Sequence, residues 1–60
     1  MKYTDEEIAG AAELLDAAQL ATAAGCDEYS TEEELRRAGL DHYPPTGAQI
    51  RKAQRIVDAH

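Results

Sequence analysis

The chain has 60 residues, 43% of them hydrophobic, and a formal charge of −6 at pH 7. This length predicts a single domain, residues 1–60, with a small core. The negative charge disfavours a general binder of nucleic acid or of acidic membranes. The charge is uneven, because residues 1–30 hold one lysine against seven acids, whereas residues 31–60 hold five of each sign.

The sequence carries no signal that would direct it out of the cytoplasm. Its single cysteine cannot form an internal disulfide. It has no basic-then-apolar leader, no lipidation motif and no run of about 18 apolar residues. We therefore expect a complete, cytoplasmic protein, and its alanine-rich composition is typical of a GC-rich bacterial or phage genome.

The first predicted helix covers residues 5–24. Thr4 is placed to cap its free amides, and Glu7 can reach back to close a capping box. Gly25 suits the left-handed position that follows a helix, and Cys26 would then fold back onto the last turn. Both ends of a long helix are therefore predicted.

One face of this helix is apolar. A helical wheel gathers Ile8, Ala11, Leu14, Leu15, Ala18, Ala21 and Thr22 there. Gly10 lies on the same side among small residues, and a glycine inside a helix costs about 1 kcal/mol relative to alanine. We therefore expect another helix to cross closely at Gly10.

Leu20 is the apolar exception, because it falls on the polar side between Glu13 and Asp16. Two interpretations are open at this point. The following loop or the short second helix could cover Leu20, or Leu20 could contact a binding partner.

A short second helix is predicted over residues 32–38. Thr31, with a glutamate three residues later, repeats the start signal of the first helix. Gly39 ends the helix, and Leu40 is placed to pack back on Leu35.

A third helix is predicted over residues 47–58. Pro44 and Pro45 form a stiff extended corner before it, because each lacks an amide donor and disfavours a helical residue before it. Thr46 and Gln49 give the start signal a third time. The apolar side of this helix holds Ile50, Ala53, Ile56 and Val57.

These elements predict an all-α fold, a small three-helix domain with a long, a short and a medium helix. The apolar positions predict which side chains form the core. They are Ile8, Leu14, Leu15, Leu35, Leu40, Ile50, Ala53 and Val57.

Catalytic and metal chemistry have little support in the sequence. Cys26, His42 and His60 are the residues with nucleophile or metal-ligand potential, and they lack the paired spacing of a metal site. The acids between Asp27 and Glu34 lack the alternation and central glycine of an EF-hand loop. We expect no metal, no cofactor and no enzymatic activity.

A DNA-binding role is the alternative hypothesis. The last helix is basic, and with the short helix before it suggests a divergent helix-turn-helix regulator. Its contact residues would be Gln49, Arg51, Lys52 and Arg55. The connection is longer than the usual turn of three or four residues and contains two prolines.

Protein binding is the preferred hypothesis. An acidic helix with one leucine, Leu20, on its polar side suits a regulator or inhibitor that docks on another protein or pairs with itself. Its contact residues would be Glu13, Asp16 and Leu20.

Overall fold

A computed structural model describes residues 2–59 of the protein. This part of the chain is all-helical and has no strand. The helices are α1 (Asp5–Ala23), α2 (Glu32–Arg37) and α3 (Gly47–Ala59). The predicted three-helix fold is confirmed, and each predicted boundary lies within one residue of the observed one. His60 lies outside the described residues.

Each helix begins with a capping box. The threonine hydroxyl accepts a hydrogen bond of 3.1 Å from the backbone N–H three residues later. The side chain of that later residue accepts a 2.9 Å hydrogen bond from the threonine N–H. The pairs are Thr4 with Glu7, Thr31 with Glu34, and Thr46 with Gln49. Local hydrogen bonding therefore sets all three starting points.

A Schellman motif ends α1. Gly25 has φ +79°, and its N–H donates to the Thr22 carbonyl at 3.0 Å. The Cys26 N–H donates to the Ala21 carbonyl at 2.8 Å. The left-handed glycine turns the chain back, so Cys26 packs against the last turn as predicted.

The same motif ends α2 and attaches that helix to α1. Gly39 has φ +81°, and the Leu40 N–H donates to the Leu35 carbonyl at 2.9 Å. Leu35 is 4% exposed and packs with Ala21 and Cys26, while Leu40 lies against this cluster. A single buried leucine therefore fixes the short helix to the end of α1.

The two longer helices form an antiparallel hairpin. Ile8 and Ala59 line one shared hollow, and Ala18 and Ile50 line another. Within residues 2–59, α1 and α3 are the pair of helices that pack along their lengths. The resulting shape is elongated, about 40 × 17 × 15 Å.

The core is shallower than the sequence predicts. Leu35 and Ala53 are buried as expected, and so are Ala11, Ala21 and Cys26. The other predicted core residues are only half-buried: Ile8, Leu14, Leu15, Leu40, Ile50 and Val57. Between α1 and α3 the small residues Ala11 and Ala53 are enclosed, whereas the larger side chains to either side of them keep part of their surface in solvent.

The expected close crossing at Gly10 is wrong. A methyl group placed on Gly10 would meet no atom of another segment within 4 Å, and the residue is exposed. Ala11 is the small residue that is buried in the hairpin. Gly10 instead borders an open groove on one side of the hairpin, together with Leu14 and Ile56.

Candidate partner-binding surface

Leu20 is exposed on the outside of α1. Its side chain is 65% accessible, and Glu13 and Asp16 beside it are also exposed. The interpretation in which a loop or α2 covers Leu20 is therefore wrong. The reason is geometric, because α2 attaches at Ala21, which points about 100° round the helix from Leu20.

A second apolar surface lies between α1 and α3, which we call the α1/α3 groove. It is an open depression of about 700 Å³. Leu15 from α1 and Ile50 and Val57 from α3 supply its large apolar side chains. All three are half-buried, so their remaining surface is available at the groove.

The α1/α3 groove and the Leu20 surface are continuous. Asp16, Gln19 and Ala23 line the groove, and the same three residues surround Leu20 in an adjoining hollow. A binding partner that lies in the groove can therefore also contact Leu20. The structure places Asp16 and Leu20 of the predicted site in one hollow. It also adds the groove residues Leu15, Ile50 and Val57 to this surface.

The charged side chain that lines this surface is acidic. Asp16 is the charged residue that lines the α1/α3 groove, and no Lys or Arg of residues 2–59 lines it. On the α3 side, Gln54 Nε2 donates to Asp58 Oδ1 at 2.9 Å. The whole of α1 holds five acids and no basic residue. The groove therefore combines apolar side chains with one carboxylate on its α1 side, while the cations of α3, Arg51, Lys52 and Arg55, lie outside its lining.

The basic residues of α3 do not form a helix-turn-helix unit with α2. Arg51, Lys52 and Arg55 are exposed. However, within the described chain, no Cα atom of α2 lies within 8 Å of a Cα atom of α3. Gln49, the fourth proposed DNA contact, has its side-chain oxygen engaged by the Thr46 N–H. The alternative site keeps its charge but lacks the helix pairing that this class of DNA reader uses.

Cys26 and His42, the described residues with potential for metal or nucleophilic chemistry, differ in their exposure to solvent. Cys26 is a buried free thiol. His42 is exposed, with Nε2 at 3.5 Å from Asp41 Oδ1. Across residues 2–59, no group of three or more His, Cys, Asp or Glu side chains is placed to hold a metal ion.

Comparison of this chain with protein-family models, curated proteins and solved structures finds no significant match. Among the helices described, none is long and apolar enough to cross a membrane.

Proposed function

We propose that this protein is a non-enzymatic, acidic helical module that binds a protein partner through the outer face of α1. Its role would be that of a cytoplasmic regulator or inhibitor, of the accessory type that bacteria and phages encode. The contact residues are Glu13, Asp16 and Leu20. The observation that carries this proposal is the exposure of Leu20.

The position of Leu20 favours binding over folding as the reason for a leucine there. A side chain that is 65% exposed contributes little to the core, and α2 is held away from it by Leu35. Leu20 also adjoins a larger apolar groove, so the exposed surface is contiguous and not a single scattered residue. The neighbouring acids would select a partner with a basic contact surface.

Affinity capture from a bacterial lysate, followed by reconstitution with the purified captured protein, tests the proposal. We expect Leu20→Asp to abolish the reconstituted complex and charge reversal at Glu13 or Asp16 to weaken it. Tyr43→Asp is the matched control, because Tyr43 is also 65% exposed but lies in the linker before α3. Exposed substitutions of this kind should leave helicity and melting temperature nearly unchanged. A complex that tolerates Leu20→Asp as well as Tyr43→Asp would overturn the proposal.

A further inference from the structure

We infer that the α1/α3 groove is a docking site for a cationic amphipathic helix of the partner. This inference rests on the proposed function and specifies the chemistry of the partner segment. The helix would lie along the groove with its apolar side chains on Leu15, Ile50 and Val57. Its basic side chains would face Asp16 and the acidic outer surface of α1.

The shape of the groove suits a helix. Two antiparallel helices, α1 and α3, form its walls. A partner helix laid between them would bury an apolar stripe with spacing i, i+3, i+4 and i+7. The lining residues of α1 run from Ala12 to Ala23, which corresponds to about 17 Å at about 1.5 Å per residue. A partner helix of about three turns spans that length.

The burial of the groove residues indicates what such a helix would supply. Leu15, Ile50 and Val57 are half-buried, and none of the described side chains is completely buried. A helix contributed by the partner would complete the burial of these residues. The protein's own α2 cannot do so, because Leu35 fixes it at the end of α1.

Charge decides between the possible occupants. The groove presents Asp16 and no basic residue, and the chain carries a net charge of −6. A second copy of this chain, placed groove to groove, would bring the two Asp16 carboxylates and two negatively charged proteins together. A basic helix meets the same carboxylates with attraction.

A pair of exposed alanines on α1 provides a matched test. Ala12 lines the groove, whereas Ala9 is exposed but does not line it. Arginine is a good helix former, so Ala12→Arg and Ala9→Arg should both keep the fold. Only Ala12→Arg places a large cation where the partner helix would lie.

The probe is a synthetic peptide of about 18 residues, with leucines at i, i+3, i+4 and i+7 spacing and lysines on the opposite face. Two control peptides are used. One has the same composition in an order that forms no apolar face. The other has the same leucines, with glutamates in place of the lysines. Binding is followed by chemical shifts of the ¹⁵N-labelled protein and by calorimetry. Sedimentation of the free variants reports self-association.

We expect the lysine peptide alone to bind and to shift the amides of Leu15, Ile50 and Val57 more than those of Leu14 and Ile56. We expect Ala12→Arg to weaken this binding by at least about tenfold, and Ala9→Arg, which lies outside the groove lining, to weaken it much less. Equal binding of the glutamate or scrambled peptide, or shifts centred on Leu14 and Ile56, would overturn the inference. A dimer of the free protein that Ala12→Arg alone dissociates would overturn it too, in favour of a second copy.

The reconstituted natural complex separates this inference from the proposed function. Sensitivity to Ala12→Arg as well as Leu20→Asp supports both. A complex that is lost with Leu20→Asp but unaffected by Ala12→Arg would support the proposed function and contradict the inference that the partner binds in the groove.

Discussion

The carboxylate of Glu28 caps the N-terminus of α3, where Glu28 Oε2 accepts a hydrogen bond from the Gly47 N–H. The two residues are 19 positions apart, and Glu28 belongs to the loop that follows α1. A negative group at this end of a helix also interacts favourably with the helix dipole. This contact links the end of α1 to the start of α3.

We therefore expect Glu28→Ala to lower the free energy of unfolding by about 1 kcal/mol, the usual cost of losing a helix cap. In a domain of this size, that loss corresponds to a decrease of about 4–8 °C in melting temperature. Glu13→Ala is the control, since Glu13 is an exposed acid in the middle of α1, away from either helix end. Equal melting temperatures for the two variants in a thermal melt would show that the Glu28 contact is not stabilising.

Truncation of Leu35 should destabilise the protein more than truncation of Leu15. Leu35 is 4% exposed, whereas Leu15 is half-buried at the α1/α3 groove. We expect Leu35→Ala to cost about 2 kcal/mol or more. For Leu15→Ala we expect about 1–2 kcal/mol, because less apolar surface is lost from the interior. Urea unfolding of both variants gives the order, and the reverse order would contradict the assignment of Leu35 as the more deeply buried residue.

Cys26 should be dispensable for binding. Its thiol is buried against Ala21 and Leu35 and donates a weak hydrogen bond of 3.9 Å to the Ala24 carbonyl, so its contacts lie within the fold. Cys26→Ser should lower the melting temperature a little, and Cys26→Ala should lower it less, because alanine buries no hydroxyl group. Loss of partner binding with an unchanged melting curve would instead indicate a reactive or metal-binding role.

Acid should weaken two of the three helix caps. The backbone N–H of Thr4 donates to Glu7 and lowers the pKa of that carboxyl, and the Thr31 N–H does the same for Glu34. A pKa that is lower in the folded state gives stability that is present above the unfolded pKa. This stability is lost as the pH falls through the folded pKa.

Replacing both glutamates by glutamine should therefore reduce the loss of stability between about pH 6 and about pH 3. The third box already uses an amide, since Gln49 accepts from the Thr46 N–H at 2.9 Å. Glu6→Gln is the control, because it removes a carboxylate from the first turn of α1 without changing a capping box. Identical acid dependence of the urea midpoint in the parent and the double variant would contradict this assignment.

The basic residues of α3 provide the test of the DNA-binding alternative. If Arg51, Lys52 and Arg55 contact phosphates, duplex affinity should fall steeply with added salt, and neutralising all three should abolish it. We expect no appreciable affinity in a gel-shift titration at low salt, because the chain is negative and no Cα atom of α2 lies within 8 Å of α3. Submicromolar, salt-sensitive binding would favour DNA over the protein partner.

The sequence by itself determined the helices and their ends. Three threonines with a glutamate or glutamine three residues later, and two glycines after a helix, act through contacts within a few residues. Such short-range hydrogen bonds do not depend on how the helices pack. The same locality explains why Cys26 and Leu40 were placed correctly.

Only the tertiary structure decided which apolar side chains are buried and what Glu28 does. A helical wheel gives the apolar sides of α1 and α3, but not whether one or two helices cover each side. Leu15 and Ile50 are therefore predicted in the core but lie at an open groove. Burial and the cap on Gly47 depend on residues distant in the chain meeting in space. Leu20 shows the same limit, because its exposure was settled by where Leu35 anchors α2 and not by any residue adjacent to it.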